Sequence, residues 1–256
     1  MRYRMMLPLW IALLVCGCGT LYQPSSVATH QFRGSGEVIA AGYFGPSGWN
    51  GQAAWSLLPH VALHGGAAWV NPSSSEYTSP TSLPPYFGQQ IVGQNLLAEG
   101  AAGWYTATGS LELLAIYAGY GAGHVVIYHY ANRFPADTAW ERAEGDYHRY
   151  TVQVNIGRVI VEKSEGATSR KPEEANIGAV VKISCINYDR LDGSLQRLNP
   201  PGGIVLEPMV YIQTGTRYLQ YGMQAGFATP LRRWNGLSVY PLQISVGIRA
   251  NLDRLF

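Results

Sequence analysis

Three histidines beside a run of acidic residues are the side chains of this sequence best suited to chemistry. The histidines are His124, His129 and His148, and the acids near them are Asp137, Glu141, Glu144 and Asp146. A histidine held by a carboxylate can move a proton or activate a nucleophile, as a hydrolase requires. His124 and His129 are five residues apart, however, so a strand would place them on opposite faces. We therefore expect neither a catalytic nor a metal site, and a hydrolase built on this cluster stays as an alternative.

A second set of ionisable residues recurs on the polar side of alternating stretches. Its members are Glu37, His64, Glu99, Glu112, Arg149, Lys182, Glu207 and Arg249. Acids and bases nearly balance, and charges that are buried together must pair. We expect an ion-pair network of Glu99, Glu112, Arg149, Lys182, Glu207 and Arg249. Within it, we expect mutual pairing of Glu99, Glu207, Arg149 and Arg249. A narrow polar path that makes the protein a channel or transport accessory is the alternative use of these residues.

The stretches that carry these charges alternate polar and apolar residues with a period of two, which indicates strands with two unlike faces. LQISVGIRAN at 242–251 is the most regular, and TVQVNIG at 151–157 and LQYGMQAGF at 219–227 show the same period. No long amphipathic helix competes with them. The pattern predicts about ten strands, with eight as the alternative, at 36–45, 50–58, 61–70, 95–107, 110–124, 146–162, 177–188, 203–214, 217–229 and 241–252.

The connections between these strands favour an antiparallel up-and-down barrel over residues 36–256. Tight turns are expected at Pro59-His60, at Thr108-Gly109 and at 214–216. They alternate with long polar connections at 71–94, 131–145, 189–202 and 230–240, and only the charged stretch 164–177 breaks the rule. Short turns at one end and long loops at the other are typical of transmembrane barrels of the bacterial outer membrane.

A soluble barrel of lipocalin type, which turns its apolar face inward, is the rival architecture. The composition favours the membrane, because charged residues make up only 13% of the 256 residues, against about 25% in a soluble domain. Aromatic residues on or near the apolar faces could form interfacial girdles. These are Trp55, Trp69, Trp104, Tyr211, Tyr221 and Phe227. The net charge of +2 and the lack of a basic stripe predict no nucleic-acid partner.

The N-terminus reads MRYRMMLPLWIALLVCGCGT, a basic start and a short apolar core. The core is shorter than the roughly 20 residues of a spanning helix, so we interpret 1–17 as an export signal. Gly17-Cys18 resembles the site at which bacterial lipoproteins are cleaved and acylated, and an ordinary signal with nearby cleavage is the alternative. We expect a covalent lipid on Cys18, no other cofactor, and a lipidated tether over 18–35. Cys185 is then the one cysteine without a role, so no internal disulfide is expected.

The end of the chain adds a further pattern, since Phe256 resembles the terminal aromatic residue that marks outer-membrane barrels for assembly. Together, CGTLYQPS after the signal, the glycine-rich alternating strands and the last strand resemble small lipid-anchored outer-membrane barrels of the Bacteroidetes type. That resemblance implies a location and a fold but no biochemical activity. It also implies the outer-membrane lipid, the barrel-assembly machinery and the lipoprotein-sorting machinery as partners.

We therefore expect a lipid-anchored outer-membrane barrel with a plugged polar lumen. Its expected role is structural, or the binding of a surface ligand or partner protein through long outer loops, and not enzymatic.

Overall fold

The structure is a computed structural model. It describes residues 20–22, 25–29, 32–45, 48–70, 90–108, 112–133, 137–162, 173–193, 202–231, 238–239 and 242–252. No helix among these residues is long and apolar enough to cross a membrane.

The described residues form thirteen strands and no α-helix. In chain order they are β1 (Thr20–Tyr22), β2 (Val38–Gly45), β3 (Gly48–Leu58), β4 (Val61–Val70), β5 (Gln90–Thr108), β6 (Glu112–Arg133), β7 (Asp137–Glu162), β8 (Glu173–Gly193), β9 (Gly202–Gly215), β10 (Leu219–Phe227), β11 (Thr229–Pro230), β12 (Ser238–Val239) and β13 (Leu242–Asn251).

Ten of these strands close into an antiparallel barrel. Strands β2 to β10 pair each with the next, and β13 completes the ring by pairing with both β10 and β2. This arrangement confirms the all-β, up-and-down barrel of about ten strands expected from the alternation. Closure matters physically because every barrel strand then has a paired neighbour on each side, and the sheet has no edge strand.

Strand β11 continues β10, and both strands pair with β9. Thr229 pairs with Leu206 of β9, in register with the Gly226–Met209 pair before it. The hydrogen-bond ladder is interrupted between these pairs, because Pro208 of β9 has no N–H group to donate to the adjacent strand.

The strands in the middle of the chain are longer than the alternation predicted. Strands β6 and β7 pair from Glu112–Arg158 up to Arg133–Asp137, so most of the expected loop 131–145 is strand. The stretch DTAWERAEG does not alternate cleanly, and its pairing follows instead from the neighbouring strand. The expected loop 189–202 likewise begins only after Gly193, where β8 ends.

The two ends of the barrel differ in their connections. We call the "loop end" the end from which the connections 71–89, 194–201 and 231–241 leave, and the "turn end" the opposite one. At the turn end, Pro59 and His60 join β3 to β4, and His60 has φ = 68°. Proline followed by a residue of positive φ is the arrangement of a type II turn. Strand β2 begins, and β13 ends, at this same turn end.

Four tyrosines lie across glycines of neighbouring strands on the inner face. Gly178 faces the ring of Tyr211, and a Cβ atom built on it would lie 2.4 Å from that ring and 2.5 Å from the carbonyl oxygen of Ile156. The equivalent pairs are Gly103–Tyr117, Gly123–Tyr147 and Gly247–Tyr43. Glycine is needed here because only a residue without a side chain lets the ring pack on the backbone.

Candidate functional site

The barrel is polar inside and apolar outside. Arg149 and Glu207 on the inner face are 0% exposed, whereas Ile156 and Val210 on the outer face are 61% and 59% exposed. The other buried polar residues of the wall include Asn50, Gln52, Gln153, Asn155, Gln213, Gln220 and Gln224. Because burying polar groups costs free energy unless they are hydrogen-bonded, the interior must supply partners for all of them.

The exposed apolar surface forms a band with aromatic residues near both edges. Trp49 and Trp69 are paired neighbours towards the loop end, and Trp55 and Trp104 lie towards the turn end. On β5, Trp104 lies eight residues beyond the partner of Trp69, which is about 26 Å along a strand. Tyr211 was expected among these aromatics, but it is buried and lies on the inner face against Gly178.

Two ion pairs occupy the half of the interior nearer the loop end. Arg149 of β7 pairs with Glu99 of β5. Lys182 of β8 has its Nζ atom 4.0 Å from Glu207 Oε2 of β9. Two acids and two bases therefore balance among side chains that are almost wholly buried.

Tyr22 joins the two ion pairs. Its hydroxyl accepts a hydrogen bond from Arg149 Nη1 at 2.8 Å and donates one to Glu207 Oε1 at 2.8 Å. Ser25 adds a second link, because its Oγ atom accepts from Arg149 Nη2 and from Lys182 Nζ.

Tyr22 and Ser25 belong to a stretch that lies inside the barrel. We call the described residues 20–22, 25–29 and 32–36 the "N-terminal segment". All of 25–29 is buried. Its backbone is bonded to side chains of the wall: Val27 N donates to Gln224 Oε1, and Ala28 O accepts from Gln153 and Asn155. The tether expected at 18–35 therefore has its described middle part inside the barrel rather than in solvent.

The N-terminal segment follows the barrel axis from the loop end to the turn end. Along β8, Ser184 contacts Tyr22, Lys182 contacts Ser25, and Glu174 contacts Arg33. The contacts advance along the segment as β8 is followed towards the turn end.

Strand β3, on another side of the barrel, gives the same order. Asn50 bonds Ser26, and Ser56 bonds Gly34 near the turn end. Two strands that agree in this way fix the direction of the segment.

The turn end has its own cluster of charged and polar side chains. Arg33 forms a two-pronged bond to Glu174, at 3.1 and 2.7 Å, and its backbone N–H donates to Glu37. Arg249 donates to Gln213 at 3.0 Å and to Gln220 at 3.2 Å. Phe32 packs beside them in a cluster with Ile39, Tyr105, Tyr117 and three alanines of the wall.

The expected ion-pair residues are thus divided between two places. Glu99, Arg149, Lys182 and Glu207 are brought together near the loop end, whereas Arg249 lies near the turn end and donates to two glutamines. Glu112 was expected on the inner face. Leu113, Ala115 and Tyr117 are buried near the start of that strand, so Glu112 has the parity of the exposed Ile116. Its own side chain lies outside the described residues.

His124 and His148, two of the three histidines considered for chemistry, lie on the outer wall and have separate acidic partners. His124 Nδ1 is 2.8 Å from Asp146, and His148 Nε2 is 2.5 Å from Asp189. The hydroxyl of Tyr120 contacts the other ring nitrogen of His148. These side chains are one third to two thirds exposed.

Among the described residues, no group of three acids, cysteines or histidines could hold a metal ion. His129 is described only as part of the β6 backbone, opposite Glu141. Cys18 and Phe256, the expected lipidation site and assembly signal, lie outside the described residues. Cys185 is a free cysteine, partly exposed on β8.

The N-terminal segment is the part of this site that the sequence reading missed. It has no alternation, because most of its hydrogen bonds go to side chains of distant strands and not to a ladder. The usable signal was its run of small residues, SSVAT at 25–29, which can pass where larger side chains would not fit.

No family model, curated protein or solved structure matches the chain. The resemblance to lipid-anchored barrels of the Bacteroidetes type therefore stays a prediction.

Proposed function

We propose that this protein is a lipid-anchored barrel of the bacterial outer membrane whose lumen is plugged by its own N-terminal segment. Its role is structural, or the binding of a surface ligand or partner protein by the connections at the loop end. The observation that carries the proposal is the inverted distribution of side chains, with charges inside and large apolar residues outside. In water this distribution would leave an apolar belt exposed, whereas a lipid bilayer covers it.

The height of the apolar band supports the same reading. The outward apolar band of outer-membrane barrels is about 25 Å tall, and its strands tilt by about 35–45°. At that tilt the distance along β5 between the two aromatic edges corresponds to about 20 Å of height, which is close to that value. Beyond the band on the loop side, the outer wall turns polar, with His124, Asp146, His148 and Asp189. Long connections at that end support its assignment to the outside of the cell.

The plugged interior is the reason we propose no transport role. The carbonyl oxygen of Ala28 accepts from both Gln153 and Asn155, and Thr29 bonds Tyr43 and Gln213. These four wall residues come from three strands, so the N-terminal segment is held across the lumen. A polar path that is closed by this many bonds opens only if the segment leaves.

A lysine placed on the outer wall separates the membrane barrel from a soluble one. Val246 lies in the middle of the outward face of β13, and Asn187 is exposed on β8 beyond the apolar band. In a bilayer, Val246→Lys should lower the free energy of unfolding by about 2–4 kcal/mol, whereas Asn187→Lys should change it by about 0–1 kcal/mol. Urea unfolding of the protein refolded into lipid vesicles measures both.

A soluble barrel gives the opposite result in that experiment. Both lysines would then be harmless, and the wild-type protein would stay in solution without detergent. Either finding would refute the membrane proposal. A mobility difference between unheated and boiled protein on a gel, typical of membrane barrels, is the supporting observation in cell membranes.

A further inference from the structure

We propose that the lipid on Cys18 is inserted in the outer leaflet, at the loop end of the barrel, so that the N-terminus of the mature protein is on the cell surface. This inference rests on the proposed function for the membrane location, the lipid and the outward loop end. It adds the side of the membrane on which the anchor lies, which neither the signal pattern nor the fold class decides.

The pairing of β1 gives the first reason. Thr20 pairs with Ser238, and Tyr22 with Val239, so β1 lies parallel to β12. Strand β12 belongs to the connection between β10 and β13, which leaves the barrel at the loop end. The backbone just after Cys18 is therefore held at the loop end.

The order of contacts inside the barrel gives the second reason. From Tyr22 to Gly34 the N-terminal segment crosses the interior, and it enters β2 at the turn end. A segment that merely folded back at the turn end would not reach Glu207 and Arg149.

The reach of the chain excludes the inner leaflet for a lipid on Cys18. Thr20 is the second residue after Cys18, and two extended residues span at most about 7 Å. The turn end lies the length of β13 away, and ten strand residues extend about 33 Å. The acyl chains are therefore restricted to the leaflet nearest the loop end.

Epitope accessibility on whole cells tests this. One variant carries a short peptide epitope between Gly19 and Thr20, and a matched variant carries the same epitope in the connection 163–172, which joins β7 to β8 at the turn end. We expect an antibody to bind the first variant on intact cells and the second only after the outer membrane is permeabilised. Both variants must still show heat-dependent mobility and enter the membrane fraction.

Two results would overturn the inference while leaving the membrane barrel intact. One is an epitope at 19–20 that is hidden on intact cells of a heat-modifiable, membrane-inserted variant. The other is exposure of both epitopes on intact cells. Loss of heat-dependent mobility in the wild-type protein would instead count against the proposed function itself.

A cysteine label removes the concern that the epitope itself redirects the chain. In a Cys185→Ser background, Gly19→Cys should react on intact cells with a maleimide that does not cross membranes, and Leu252→Cys should not. Fatty-acid labelling of the wild-type protein that disappears in Cys18→Ala establishes the lipid. If the label persists in Cys18→Ala, the lipid is elsewhere and the inference fails.

Discussion

At the scale of single residues, the Arg149–Glu99 pair is the interaction whose loss should destabilise the protein most. Arg149 is fully buried and also bonds Tyr22 and Ser25, so its charge holds together an acid of the wall and two residues of the N-terminal segment. Such a buried pair is weak as a source of net stability but costly to break, because the remaining charge has no water to solvate it.

Arg149→Met should therefore lower the free energy of unfolding by about 3–5 kcal/mol, measured by urea unfolding in lipid vesicles. The double variant Arg149→Met with Glu99→Gln should recover part of that loss, because it removes the uncompensated charge as well. Arg158→Met, on the exposed face of the same strand, is the matched control and should change the stability little. Equal losses in the single and double variants would contradict charge pairing as the cause.

The sequence allowed this pair to be predicted, but not its surroundings. Parity along regular strands placed Glu99, Arg149, Lys182 and Glu207 inside correctly. It also gave Glu112 the inner face, whereas the buried Leu113 and Tyr117 beside it have the opposite parity, because apolar residues occupy both faces near the start of β6 and hide which face is inward. The odd–even position of a residue tells which face of the strand it lies on, but not which residues of other strands it lies beside. It therefore could not show that Arg249 lies near the other end of the lumen.

At the scale of elements, the wall depends on glycines that give room to tyrosines. Gly178 of β8 has the ring of Tyr211 and the backbone oxygen of Ile156 where a side chain would begin. A methyl group there forces the ring or the strand aside, and overpacking of this kind typically costs about 1–3 kcal/mol.

We expect Gly178→Ala to lower the free energy of unfolding by that amount, measured as a shift of the urea midpoint. Gly51 of β3 is the matched control, because it is exposed and nothing lies within 4 Å of the position of its Cβ. Gly51→Ala should be neutral. A neutral result for Gly178→Ala would mean that the ring of Tyr211 does not need this glycine.

All ten barrel strands could be predicted from period-two alternation, but the lengths of the middle ones could not. Strands β6, β7 and β8 extend past the apolar band. Beyond the band the outer face does not need to be apolar, so the sequence there no longer alternates between polar and apolar residues. Pairing with the neighbouring strand continues regardless, because each backbone group still gains a partner.

At the scale of the whole molecule, the lumen and the N-terminal segment are one unit. The wall presents amides and charges that would need solvent if the segment were removed, and the segment has few bonds of its own. Removing it should open the interior to water and ions.

A deletion of residues 20–31 should therefore produce stepwise ionic currents in a planar lipid bilayer, where the wild-type protein is silent. The control is a deletion of twelve residues from the connection 71–89, which leaves the lumen filled. Currents of equal size in the wild-type protein would show that the segment does not block the path. Silence of a correctly inserted deletion variant would show that wall side chains alone close it.

The course of the N-terminal segment also determines the sequence of events during assembly. Strand β13 follows all the other barrel strands in the chain, and its pairing with β2 and β10 completes the ring. In the lipid-anchored protein proposed above, once the ring is complete, the acylated N-terminus could reach the loop end only by drawing its fatty chains through a narrow polar interior. The segment must therefore enter the interior before β13 has paired with both β2 and β10, and the barrel then closes around it.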